Sequence, residues 1–251
     1  MALIKIQLSS SELISTKEVT VIYPDQLFNN KDNVNILYLL HGYSGSNNDW
    51  VRYTNIEKLV SNKNMIVVMM DGANSFYTNM KYGGNYFNYL TKELPEKIEN
   101  IFNIKYEKEN THIAGLSMGG YGALKAALTY PNKYKSVFSF SGALNIKTIF
   151  SRLEGRQSQI EAVFGSEDDF NNNLYIHDLF ELTNNLKNNN LNIYFSCGTE
   201  DFLYDDNLKF KKHLEQENIS FDYYETKGDH NWTFWSNEIE RIIKLYFNEE
   251  K

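Results

Sequence analysis

"HIAGLSMGGYGALKAAL" (His112–Leu128) begins as a strand and ends as a helix. One serine, Ser117, stands at the junction, with Gly115 two residues before it and Gly119 two residues after. A turn this tight forces its central residue into strained backbone angles. Side chains on the flanking residues would collide with the adjacent strand and helix, and glycine removes those collisions. The expected result is an exposed hydroxyl above a sheet edge. The amide of Met118 should point at the same spot from the first helical turn, where N–H groups lack intrahelical acceptors.

Working outward, short apolar runs alternate with helix-like patterns. Strands are expected over 2–8, 18–23, 34–40, 65–70, 111–116, 136–141, 191–197 and 221–226. Helices are expected at about 50–62, 85–102, 118–129, 178–189, 206–217 and 235–248, the second kinked or restarted at Pro95. The first two strands read as alternating or edge strands. The later ones are continuous apolar runs, as in a parallel sheet covered on both faces. The fold class is therefore α/β: an eight-stranded, mostly parallel sheet with helices on both sides. Residues 145–190 interrupt the rhythm with mixed polarity and no clear strand. We expect one domain over 1–251, in which 145–190 is a small cap over the carboxyl edge of the sheet, where function gathers in such folds.

A serine hydroxyl is a weak nucleophile until a base takes its proton. Five histidines are available. His41 ends an early strand, and His112 lies inside the strand leading to Ser117. His177 falls in the expected cap, and His213 in a charged helix, where solvation is expected. Only His230, in "TKGDHNWTFW", combines a polar loop, the carboxyl end of a strand and a late position. In the chain order serine, acid, histidine, Asp201 of "YFSCGTEDFL" follows a strong strand by a short turn. Glu200, Asp205 and Asp206 are its rivals, the last two suited to begin the next helix as caps. A second oxyanion-hole amide is expected in the turn of "LLHGYSG" (Leu39–Gly45), at Tyr43. Tyr77, Tyr82 and Trp232 are candidates for lining an acyl or alcohol pocket.

Composition narrows the class further. The formal net charge is −7 and there is no long basic block, which argues against nucleic acid as the partner. The single cysteine, Cys197, excludes a disulfide framework within the chain and sits in an apolar run, as a small buried residue does. No segment reaches the roughly 18 apolar residues of a membrane span. The opening "MALIKIQLSSSELIS" lacks the basic start and apolar core of a signal peptide. The expectation is a cytoplasmic enzyme acting on a small molecule, with no membrane partner; homo-oligomerisation is left open. Neither H-E-x-x-H nor a paired cysteine set marks a metal site.

The blocks "LLHGYSGSNNDW", "IVVMMDGANSFYTNMKYG", "HIAGLSMGGYGALKAAL", "FSGAL", "CGTEDFLYDDN" and "GDHNW" extend from about 34 to 236. Together they resemble the esterase D group of α/β-hydrolases. That group holds S-formylglutathione hydrolases, bacterial tributyrin and acetyl esterases, cinnamoyl esterases and mycolyltransferases. The small tributyrin-esterase-type carboxylesterases are the nearest likeness. Many S-formylglutathione hydrolases carry histidine just before the nucleophile, whereas this chain has Leu116. The resemblance implies nucleophile Ser117, base His230, acid Asp201, oxyanion amides at Met118 and Tyr43, and no metal or cofactor. It implies a serine esterase for short acyl esters, acetyl to butyryl, with tributyrin-, acetyl-sugar- and feruloyl-type esters in range. A thioesterase or acyltransferase on the same residues is the alternative, and a non-catalytic hydrolase-like binding protein a more distant one.

Overall fold

A computed structural model describes residues 1–28, 33–153, 155–186 and 189–247. Eight strands form one sheet: β1 (Ala2–Ser10), β2 (Ser15–Tyr23), β3 (Asn35–Leu40), β4 (Met65–Met70), β5 (Thr111–Leu116), β6 (Ser136–Phe140), β7 (Asn192–Gly198) and β8 (Asp222–Thr226). Their spatial order is β1-β2-β4-β3-β5-β6-β7-β8. β1 and β2 pair antiparallel, β2 joins β4 antiparallel, and every other neighbour is parallel. β3, carrying His41 just past its end, and β6 therefore flank β5 and the Ser117 turn.

Alternation along the central strands sends side chains to two cores. Ile36, Tyr38 and Leu40 of β3 pack on one face with Tyr121, Leu124 and Leu128 of helix Met118–Thr129. Leu37 and Leu39 pack on the other with Trp50 and with Ile239 and Ile242 of helix Trp232–Tyr246. Each such side chain, fully buried, stabilises the fold by roughly 1.5–3 kcal/mol. Trp50 also donates its indole N–H to Leu40 O at 3.0 Å, so the ring is buried without an orphaned donor.

Two expected helices differ in detail. The stretch 50–62 divides into Asp49–Tyr53 and Ile56–Val60, because Thr54 is extended (φ −135°, ψ 173°). In 85–102, a π-helical run at Tyr89–Glu93 precedes Leu94–Phe102, with Pro95 in the first turn of the latter. Proline cannot donate to the carbonyl four residues back. That carbonyl, Thr91 O, accepts from Lys133 Nζ at 2.8 Å instead. The helix expected over 178–189 is observed as Leu179–Leu182 and the 3-10 turn Thr183–Leu186. Residues 187, 188 and 248, at the ends of expected helices, lie outside the described residues.

Between β6 and β7 the chain runs through short helices: Ile149–Arg152, Gln157–Phe164, Glu167–Asn172 and Leu174–His177. Polar contacts tie this segment together and fasten it to the sheet layers. Within it, Lys147 Nζ meets the buried Asp178 Oδ2 at 2.6 Å; from the helix after β5, Tyr121 Oη donates to His177 O at 2.7 Å. Lys125, wholly buried on the helix that begins beside Ser117, donates to Thr78 Oγ1 at 2.5 Å and lies 3.3 Å from His177 Nδ1. Burial holds the Lys125 pKa down to about 7. Burial first, and the Lys125 charge second, hold His177 at about 3.

Candidate active site

Ser117 adopts φ 53°, ψ −117°, a conformation that costs a non-glycine residue on the order of 1–3 kcal/mol. Its surroundings hold it there. Ser117 N donates to Phe140 O at 2.9 Å, and its carbonyl accepts from Tyr121 N and Ala143 N. A Cβ at position 115 would lie 2.3 Å from Gly119 O, and one at 119 would lie 2.6 Å from His41 O. The two glycines are thus demanded by close backbone approach on both sides of the turn.

His230 and Asp201 arrive from other strands. Asp201 follows β7, is buried, and accepts from Leu203 N through Oδ1 at 2.8 Å. Its Oδ2 lies 2.8 Å from His230 Nδ1, and His230 Nε2 lies 3.0 Å from Ser117 Oγ. A carboxylate only accepts, so Nδ1 carries the proton and Nε2 is the acceptor facing the serine hydroxyl. Phe202 and Trp235 pack on the imidazole at 4.6 and 4.9 Å between centroids. Asn231 caps the last helix, accepting from Thr233 N and Phe234 N, which fixes the loop just past His230.

The rival acids sit elsewhere. Glu200 is exposed and faces Lys227 at 3.6 Å, and Asp205 is exposed. Asp206 is buried, but its carboxylate pairs with Arg152 and accepts from Asn145 Nδ2 at 3.2 Å. It joins the segment before β7 to the helix after it and is not a cap, because its side chain is taken by that segment. The other histidines are structural. His112 reaches Asn35 Oδ1 at 3.1 Å beside Phe247. His213, expected in solvent, is half-buried on Phe180 and bonded to Thr183 Oγ1 at 3.0 Å. Cys197 is buried and free.

His41 shapes the turn opposite Ser117. Gly72 N–H donates to its Nε2 at 2.8 Å, so Nδ1 carries the proton and donates to Gly42 O at 2.7 Å. Burial pushes the His41 pKa down and keeps the ring neutral. A Cβ on Gly42 would stand 3.4 Å from Ser117 Cβ, which measures how near this turn comes. Tyr43 and Met118 both line the recess above Ser117. Among the described residues, neither backbone N–H has a hydrogen-bond acceptor.

That recess is an open cleft of about 910 Å³ holding Ser117, His230 and Trp232. Ile149, Arg152, Leu153 and Arg156 supply one side of it from the segment between β6 and β7. Tyr77 and Tyr82, read in the sequence as pocket candidates, do not line it. Tyr77 is fully buried and donates to His41 O at 3.0 Å, so it props up the Tyr43 turn from beneath. Tyr82 is 69% exposed on a loop whose N–H pairs with Ala162 O. The three arginines of the cleft, Arg52, Arg152 and Arg156, carried no signal in the sequence beyond their rarity. A second recess of about 610 Å³ lies at the amino ends of β7 and β8, among Asn192, Glu217 and Asp222, away from all these groups. Among the described residues no cluster of three or more His, Cys, Asp or Glu side chains is gathered that could hold a metal ion, and no helix is long and apolar enough to cross a membrane.

The family model described as a putative esterase matches residues 10–246. An acetyl esterase of Caldicellulosiruptor saccharolyticus is 32% identical over 95% of this chain and 96% of its own length. Among solved structures, the fluorophosphonate-binding serine hydrolase F of Staphylococcus aureus superposes with a TM-score of 0.90 at 31% identity, covering 99% of both chains. An S-formylglutathione hydrolase of the same organism gives 0.87 at 31%, covering 98% of this chain and 99% of that one.

Proposed function

We propose, since the chain belongs to the esterase family and is a carboxylic-ester hydrolase with the α/β-hydrolase fold, that it cleaves short-chain acyl esters through Ser117, His230 and Asp201. The hydrogen-bonded line from Asp201 through His230 to Ser117 carries this reading. Ser117 Oγ attacks the ester carbonyl while His230 Nε2 takes its proton. Asp201 holds the imidazole in the right tautomer and stabilises the imidazolium. The oxyanion is received by the amides of Met118 and Tyr43. His230 then protonates the leaving alcohol, and water, activated by the same base, releases the acid from the acyl-enzyme. In this reading the chain is one domain, and residues 145–190 are its small cap.

The cap's contribution to the cleft is short, Ile149 and Leu153 with Arg152 and Arg156 between and beyond them. No long apolar stripe continues from it. Each buried methylene contributes roughly 0.8 kcal/mol, so preference should rise to about four carbons and then fall. The test is a series of 4-nitrophenyl esters from two to twelve carbons, beside methyl ferulate and S-formylglutathione. We expect acetyl to butyryl esters to exceed decanoyl and longer ones by at least about tenfold in kcat/KM, with all turnover abolished by a serine-reactive phosphonate. Folded protein that hydrolyses none of the esters refutes the esterase reading. S-formylglutathione turned over far better than every oxyester supports the thioester alternative, favoured by the Staphylococcus aureus relative.

A further inference from the structure

The chain has 25 basic residues, of which four are arginine and 21 lysine. Three of the four arginines, Arg52, Arg152 and Arg156, line the Ser117 cleft, and none of the described lysines does. The two side chains differ in what they recognise. A guanidinium is a planar fork that binds a carboxylate or phosphate through two parallel N–H bonds, whereas an ammonium is a strongly hydrated point charge. A chain this sparing with arginine has placed nearly all of it at one cleft.

What each arginine touches separates their tasks. Arg152 is held within the protein: it pairs with buried Asp206, donates from Nε to Thr148 Oγ1 at 2.8 Å, and donates from Nη1 to Phe202 O at 3.2 Å. Arg52 and Arg156 have no carboxylate partner among the described residues. Arg52 lies over the Tyr53 ring at 5.4 Å, and Arg156 over the Tyr43 ring at 5.2 Å. Stacking of this kind orients a guanidinium while leaving its N–H edge open to a ligand. The carboxylate lining the cleft, Asp49, is engaged locally by Ser46 N and Ser46 Oγ at 3.1 and 2.9 Å. The cleft thus offers two cations that have no carboxylate partner among the described residues, in a protein whose net charge is −7.

The aromatic run beside the histidine says which part of the ester meets Arg52. His230 packs on Trp235, Trp235 on Trp232, Trp232 on Tyr53, and Tyr53 lies under Arg52. The alcohol leaves from the His230 side, because that imidazole returns the proton to the departing oxygen. We propose, building on the esterase reading above, that the alcohol part of the natural substrate carries a carboxylate or phosphate, which Arg52 binds with Arg156 as the second cation of the same cleft.

A matched set of acetyl esters tests this: 3-acetoxybenzoate, its neutral methyl ester, and 3-acetoxyphenyl phosphate, with phenyl butyrate and phenyl hydrogen succinate as the acyl-side pair. We expect at least one anionic acetyl ester to exceed the neutral one by about tenfold or more in kcat/KM at low salt, and which anion wins identifies carboxylate or phosphate. The advantage should shrink as ionic strength rises. In the double variant Arg52→Gln/Arg156→Gln the anionic-to-neutral ratio should fall to within about threefold of unity. Arg241→Gln, whose arginine pairs with Glu238 at 3.1 Å outside the cleft, should keep the parent ratio. A parent ratio near one, or a ratio that survives the double variant, overturns the proposal. Selection for the succinate over the butyrate, with no selection among the acetyl esters, overturns the assignment to the alcohol side. Hydrolysis of all esters without preference for charge leaves the esterase reading standing and removes this one. Hydrolysis of none removes both.

Discussion

The edge of the sheet at β3, β5 and β7 and the segment between β6 and β7 face the same cleft but are built from different materials. At the sheet edge, strands buried on both faces fix the backbone. Ser117, Tyr43 and Asp201 extend from it by turns of only a few residues. Among the described residues, the α-helices of the 145–190 segment have eight residues or fewer. Ion pairs on buried carboxylates hold it, Arg152 with Asp206 and Lys147 with Asp178, together with Lys125 beside His177. Packing positions reacting atoms to fractions of an ångström. Polar pins hold the other wall of the cleft, where Ile149, Arg152, Leu153 and Arg156 stand.

The contrast predicts where substitutions act. Ser117→Ala should lower kcat by about a millionfold, the loss seen when a triad nucleophile is removed, with no drop in melting temperature, since the hydroxyl contributes little packing. Activity within tenfold of the parent breaks the division at its strongest point.

Asp201 and Asp206 stand five residues apart on opposite sides of it. Asp201→Asn should lower kcat by roughly ten-thousandfold by favouring the wrong imidazole tautomer. Asp206→Asn should retain most of kcat but lose about 1–3 kcal/mol of stability, because Arg152 is left beside a neutral amide. Asp205→Asn, on the exposed face, should change neither. Steady-state kinetics and thermal melts on the three variants decide the matter, and a large kcat loss confined to Asp205→Asn would move the acid there.

Lys125 sharpens the comparison by joining the two regions. Its folded pKa of about 7 lies below the ordinary value of 10.5, so the unfolded chain binds a proton in a range where the folded one does not. The stability this burial withholds therefore grows as pH falls from about 10 to 7 and is constant below that, at up to roughly 1.4 kcal/mol per pH unit within the window. Lys125→Met keeps the stem among Phe87, Tyr121 and Thr78 and removes the titration. Its stability advantage over the parent, followed by chemical denaturation from pH 6 to 10, should narrow as pH rises. An advantage that does not change with pH would show that the lysine is not buried neutral.

The same division explains what could be read from the sequence. β4, β5 and helix Met118–Thr129 fall on the expected residues, because β4 is one uninterrupted apolar run and glycine marks the junction between β5 and the helix. Ser117, His230 and Asp201 were legible because each follows a strand that is itself legible. The π-helical turn before Pro95 depends on a tertiary donor, Lys133 Nζ for Thr91 O, which no local pattern records. Tyr77 and Tyr82 were misread for a similar reason: nearness in sequence to a strand end does not say whether a ring turns under the edge or out into solvent. The arginine wall went unseen because its members come from two distant segments and meet only in the folded chain.

Left-handed non-glycine residues follow four neighbouring strands at this one edge: Ser44 after β3, Ala73 after β4, Ser117 after β5 and Ser141 after β6, with φ between 46° and 62°. Glycine would relax each of them by about 1–2 kcal/mol, offset in part by the entropy it loses on folding. At position 117 the most comfortable residue is therefore one without a hydroxyl. Evolution toward heat resistance and evolution toward turnover pull that codon in opposite directions. A laboratory selection on melting temperature alone would drift toward Ser117→Gly and fill its survivors with sturdy, silent chains.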